Sequence, residues 1–433
     1  MTQPPEEMAC RTCLRVLNTS GDPAVYVHPD GHGPVTDHRP DPVPTRNLDT
    51  VHRRCDFCGD PHPLWSLHGG DLTSIAHGAD TTLVNRYGDR WAACATCHTL
   101  IEDGKIDHLS RHAAGALGIA SPGAFRHVAE FHRGFLERLD QDRTVLLTTT
   151  AWPATAIDPR TIPKIRDRLG RLYRYPRLLP STFRAAAPAI ADGLDRGHLI
   201  WIDGEFTDLT DGACARLPDV TISRDLLPAD DGLLVWSRPI GAQHATAASW
   251  TRTRTGWDIV CYRTIGEGLH GTPLQRVREQ IGWLVPMSVR SVVDDQTIGG
   301  AAEPTAALAT TWLLIAQELA ELRSSTASKA VRGTYARAGR PAPEVTIVSI
   351  RRRAARTQSR ADTHGASRPP LMERVWVTPH WRNVAYGPRR ALRRPRWIDP
   401  FLRGPADSPI KASTTVRVLG SGRPQPPPPV GGK

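Results

Sequence analysis

Three Cys-x-x-Cys pairs stand within the first 97 residues of the chain: Cys10/Cys13, Cys55/Cys58 and Cys94/Cys97. That spacing lets two thiolates reach one ion from a single tight turn, so the chemistry expected of these pairs is metal ligation. Cys55, Cys58, Cys94 and Cys97, with 35 residues between the two pairs, are expected to close a tetrahedral four-cysteine site around zinc. Such a site has no open position for water, and it builds a scaffold rather than a reaction centre. Cys10 and Cys13 need two more ligands. The amino-terminal region carries 12 of the 17 histidines, and His28 and His38 are expected to complete a zinc site of two cysteines and two histidines, with His32 as a competing ligand. Cys214 and Cys261 stand alone and read as small buried apolar residues.

The surrounding elements must position these ligands. Gly59 supplies the turn after Cys58, Trp65 can pack over the site, and Leu83 to Trp91 alternates as a short strand does. Cys94 to Glu102 is expected to open a helix whose first amide groups point at the thiolates. Residues 51–118 therefore read as a zinc-ribbon or treble-clef module, while residues 1–50 are too few to fold without a metal staple. Ser121-Pro122 caps an amphipathic helix carrying Phe125, Val128, Phe131, Phe135 and Leu139. Helices over 158–173 and 181–194 make 119–230 a helical connector, with a return to strand at 198–202. Residues 231–420 are expected to form an α+β domain on an antiparallel sheet. Its features are a hairpin at Thr255-Gly256, one long helix carrying Leu308, Trp312, Ile315, Leu319 and Leu322, strands at 344–350 and 374–377, and a disordered loop between those strands. A Pro-rich tail fills 421–433. The fold class expected is α+β and multidomain, with zinc modules first.

At 433 residues, with 39% hydrophobic and 23% charged residues, the chain has the composition of a several-domain soluble protein. No apolar run approaches the roughly 20 residues of a membrane span, and the expected setting is cytoplasmic, without a membrane. The charge is uneven. Residues 323–423 hold 22 Lys/Arg against 5 Asp/Glu, a local excess of 17 that exceeds the chain's net +11. Within that block Arg382, Arg389, Arg390, Arg393, Arg394 and Arg396 alternate with Trp381 and Trp397. Guanidinium groups fork onto phosphate while indoles stack on bases, a combination suited to single-stranded or distorted nucleic acid. The plainer alternative is that the two tryptophans pin a Pro-rich lap onto the sheet and the arginines form a solvated face.

Two resemblances bear on function. Cys10-x-x-Cys13, Asp37-His38-x-Pro40, Asn47-Leu48 and Cys55-x-x-Cys58 follow the order seen in HNH nucleases, whose metal core lies between two zinc-binding pairs. That resemblance implies His38 as the base of a metal-assisted hydrolysis, with Asn47 and a later His, His62 the nearest, holding metal and phosphate. It also takes Cys55/Cys58 away from Cys94/Cys97. Second, Trp91-Ala92-Ala93-Cys94-x-x-Cys97-His98-x-Leu100-Ile101-Glu102-x-Gly104, and His380-Trp381-Arg382-Asn383 with Ile398-x-Pro400-x-x-x-Gly404-Pro405-x-x-x-Pro409, resemble segments of zinc-ribbon-containing proteins of actinobacteria and their phages. That likeness implies a cytoplasmic bacterial or mobile-element setting and no reaction. The reading that follows is a zinc-stabilised, non-enzymatic nucleic-acid-binding protein, with regulatory or phage and plasmid roles in view. The alternatives are a protein-interaction adaptor, with a protein partner, and the HNH-like nuclease.

Overall fold

The computed structural model describes residues 7–20, 25–28, 37–45, 51–69, 73–77, 82–86, 90–140, 143–146, 157–241, 244–265, 269–298, 300, 305–327, 329–351, 373–405 and 408–409. The loop expected to be disordered and the Pro-rich tail fall outside them. The class is α+β, as the sequence indicates.

In the amino-terminal region, strands β1 (Met8–Cys10) and β2 (Pro42–Pro44) pair antiparallel. Strand β3 (Trp65–His68) lies between β4 (Arg90–Ala93) and β5 (Arg143–Val145). Helices α1 (Ala95–Glu102), α2 (Ile106–Ala116) and α3 (Pro122–Leu136) follow β4. Phe135 on α3 stacks on Trp91 of β4 at 4.2 Å between ring centroids. The helix expected at Ser121-Pro122 thus covers the cysteine module.

The body is a seven-stranded mixed sheet. Its strands are β6 (His198–Ile202), β7 (Gly232–Ile240), β8 (Ala245–Arg252), β9 (Gly256–Thr264), β10 (Leu284–Val293), β11 (Ala320–Thr326) and β12 (Glu344–Ile350), in the order β10-β9-β8-β7-β6-β12-β11. The meander β7 to β10 is antiparallel, with the expected hairpin between β8 and β9. Strand β6 is parallel to both neighbours. The sheet therefore crosses the expected boundary at 230/231, because β6, assigned from sequence to the connector, sits near its centre. Leu199, Ile200, Trp201 and Ile202 are apolar on both faces, the pattern of a strand covered by helices on each side.

The two faces carry separate cores. Leu199 and Trp201 join Leu233, Val235, Val260 and Tyr262 beneath helices α4 (Ile162–Arg174) and α5 (Ala187–Arg196), and this core runs on without a break to Cys55, Cys58, Cys94 and Cys97. Ile200 and Ile202 point the other way. They pack with Leu234, Trp236 and Trp250 against α6 (Gly204–Cys214) and α8 (Ala306–Ile315), a core that also takes in Trp397; α7 (Gly271–Gln280) lies between these two helices in the chain. Helix α8 is apolar all round, and accordingly Ala306 through Leu314 are all buried. Trp312 meets Trp250 edge to face, as expected of an indole packed on the sheet.

The long helix predicted to reach Leu322 ends instead at Ile315. Leu319 and Leu322 keep helical spacing, yet residues 320–326 pair in full register with β12, and Leu322 stands 57% exposed on an edge strand. Cross-strand pairing of the Ser324-Ser325-Thr326 run outweighs the spacing signal.

A two-stranded ribbon, β13 (His380–Tyr386) with β14 (Leu392–Ile398), lies on the α6 and α8 side. Trp381 Nε1 donates to the Ala213 carbonyl at 3.0 Å, and Arg216 Nη1 donates to the Pro379 carbonyl at 2.7 Å. No helix among the described residues is long and apolar enough to cross a membrane.

Candidate metal centres and an arginine ribbon

Both cysteine knuckles fold the same way. In the buried one, Gly59 N donates to the Cys55 carbonyl at 2.8 Å and Cys55 N donates to the Asp60 carbonyl at 2.8 Å, with Gly59 at φ 75°. In the amino-terminal one, Leu14 N donates to the Cys10 carbonyl at 2.7 Å and Cys10 N to the Arg15 carbonyl at 2.8 Å, with Leu14 at φ 59°. The fifth residue must be left-handed in each, and only the buried knuckle uses the glycine that takes this conformation without strain.

Cys55, Cys58, Cys94 and Cys97 are brought together as expected, with their sulfurs all within 4.8 Å of one another and all four residues buried. Cys58 Sγ and Cys94 Sγ are 3.8 Å apart. A tetrahedral ion with thiolates at about 2.3 Å spaces its sulfurs by about 3.8 Å, whereas a disulfide requires about 2.05 Å. Cys94 is the N-cap of α1, and its sulfur accepts from Cys97 N at 3.4 Å, so the helix start faces the thiolates. Hydrogen bonds from Cys55, Cys58 and Cys97 pull the Cys94 thiol far down, while the same cluster pushes Cys97 up. Four crowded sulfurs cannot all ionise without a cation, and a metal ion among them would supply it. The Asp56 carboxylate accepts from Ala92 N at 2.5 Å, tying the knuckle to β4.

Histidines around this centre escaped the sequence reading. His98, adjacent to the ligand Cys97, is 3% exposed, stacks on Trp65 at 4.6 Å and is lowered to about 3 by burial. Its ring fills the space between α1 and β3, a placement that adjacency to a ligand could not reveal. His112 on α2 lies beside the cluster, and hydrogen bonding to the Cys94 sulfur raises it to about 9. His132, 2% exposed against Phe57, is lowered to about 4 by burial.

The second cluster holds Cys10, Cys13, His28 and His38, again within 4.8 Å, with only Cys10 fully buried. His32 lies outside the described residues. His38 Nε2 faces Cys10 Sγ at 3.3 Å, and its Nδ1 meets the Asp37 carboxylate at 2.8 Å. That carboxylate holds His38 above its ordinary value, and it orients the ring as an outer-shell partner of a metal-bound imidazole does. His28 Nε2 is buried without a hydrogen-bond partner among the described residues, and the His28 ring lies within reach of the other three ligands. Burial opposes ionisation of Cys10, but backbone donors at Asp41 and Cys13 and the His28 ring bring it down to about 5. Both clusters therefore suit a bound metal ion. The grouping separates Cys10/Cys13 from Cys55/Cys58, so the nuclease-like layout lacks its second pair, and the His38 ring expected to act as base has one nitrogen turned toward a sulfur and the other toward Asp37.

On the ribbon, Arg382 stands directly opposite Arg396 and Val384 opposite Arg394, while Arg393 and the tip residues Arg389 and Arg390 extend the positive surface. Among the described residues no carboxylate is within ion-pair distance of any of these six guanidiniums. Other arginines are neutralised, among them Arg238 by Asp208 and Asp211 and Arg252 by Asp294. Arg389 and Arg390 also hold left-handed backbone, at φ 51° and 57°.

The stacking role expected of the ribbon tryptophans needs correction. Trp397 is 6% exposed within the α6 and α8 core, and the half-buried Trp381 meets it edge to face at 5.3 Å. In a two-stranded ribbon one face must be covered, and the directly opposed indoles supply that cover. Comparison with protein-family models, curated proteins and solved structures gives no match.

Proposed function

We propose that this is a cytoplasmic, zinc-stabilised nucleic-acid-binding protein in which the metal centres hold the amino-terminal scaffold and the β13–β14 ribbon carries the contact. The observation that supports this most is the set of six arginines without counter-charge among the described residues on one small ribbon, two of them directly opposed across the strands. Like charges facing each other cost stability unless a polyanion neutralises them. Zinc fits the donors, since four thiolates, or two thiolates with two imidazoles, suit its borderline-soft character and tetrahedral preference.

Binding driven by counterion release weakens steeply with salt. The test is affinity for DNA and RNA across a salt series, using nuclease-treated protein with its metal content measured. Affinity that falls steeply with salt supports the reading, and absence of binding to both overturns it. With Mg²⁺ or Mn²⁺ added, the nucleic acid stays intact on this account, and cleavage abolished by His38→Ala would favour the nuclease alternative.

A further inference from the structure

Resting on that reading, we infer that the ribbon takes duplex DNA, gripped by its phosphate backbone, rather than a single strand. A single-strand site needs open aromatic faces on which successive bases stack. The ribbon has none to offer. Trp397 is buried, Trp381 is fixed by its bond to Ala213, and Arg394 lies over the Tyr386 ring at 4.5 Å.

Its shape fits a duplex. β13 and β14 pair over seven successive positions without a bulge, giving an unbroken two-stranded element about 24 Å long. The major groove of B-DNA, about 12 Å wide, admits such a ribbon, whereas the deep narrow groove of A-form RNA does not. Arg382, Arg390 and Arg393 line, with Asn383, Val384 and Ala385, a cleft of about 420 Å³ along the β13 edge. A cleft lined by three arginines is suited to a backbone phosphate, which Arg binds through paired N–H donors. Because these contacts go to phosphate, the binding is weakly dependent on sequence.

The experiment is fluorescence anisotropy of the full-length, zinc-loaded chain with labelled duplex DNA, single-stranded DNA of the same length and duplex RNA, between about 50 and 200 mM salt. Duplex DNA is expected to bind at least about tenfold tighter than the other two, with a log–log salt slope of about −4 to −5 for some five phosphate contacts. Arg382→Gln with Arg393→Gln is expected to reduce that slope by about 2, whereas Phe401→Ala, which removes an exposed aromatic just beyond the ribbon, is expected to leave affinity unchanged. Tighter binding to single strands or to duplex RNA, or a loss of affinity in Phe401→Ala, overturns the duplex inference while leaving nucleic-acid binding in place. No binding to any of the three overturns the underlying reading as well.

Discussion

The buried cysteine centre and the arginine ribbon belong to cores on opposite faces of one sheet and treat charge in opposite ways. At the centre, thiolates are packed among Phe57, Trp65, Trp91 and Phe135, and the start of α1 and His112 both compensate negative charge. On the ribbon, positive charge is gathered and left open to solvent, while the indoles that could have been contact surface are turned into packing. The first region has the ligands to be held by a metal ion from within the chain. The second, on the proposed reading, is completed by a polyanion from outside.

The largest effect is expected from metal removal or Cys97→Ser, which should cost on the order of 10 kcal/mol at the buried centre and expose the core continuous with it. Native mass spectrometry should read two ions per chain in the wild type and one in the variant, and thermal unfolding should report the loss. Replacing Arg382, Arg393 and Arg396 with Gln should weaken nucleic-acid binding by about 10²-fold or more, while the melting temperature holds or rises, since these groups have no ion-pair partner among the described residues.

A pH effect is expected at the buried centre. His132 is lowered to about 4 by burial, against an ordinary value of 6.5, so the unfolded chain takes up its proton first as pH falls. Stability is fully present above about pH 6.5 and is lost progressively down to about pH 4, by roughly 3 kcal/mol. His132→Gln should lessen that slope, with His98, lowered by the same cause, supplying the rest, and an unchanged slope would assign it to other groups. The smallest effects concern left-handed backbone. Gly59→Ala should destabilise by about 1 to 2 kcal/mol, whereas Arg389→Gly should leave stability level or raise it slightly and still weaken binding.

The cysteine grouping was legible because ligand type and spacing are local signals, and so were the helix opened by Cys94 and the hairpin at Thr255-Gly256. What could not be read depends on distant partners. Strand β6 looked like the end of a connector because parallel neighbours are supplied by β7 and β12, from later in the chain. Leu319 and Leu322 continued a helical spacing that β12 converts into a strand. At the sites, Arg382 and Arg396 could be named as basic, but their direct opposition follows from register, and the inward turn of Trp397 follows from α6 and α8. His112 and His98 carried no sequence signal beyond proximity to ligands.

The division of labour between the two faces is tested most directly by measuring melting temperature and duplex DNA affinity on the same sample of the Arg382→Gln, Arg393→Gln, Arg396→Gln variant. The account predicts an unchanged or higher melting temperature with affinity reduced by about two orders of magnitude. A lowered melting temperature with affinity intact would show that these arginines hold the fold together, and it would contradict the claim that the ribbon is a surface waiting for a polyanion.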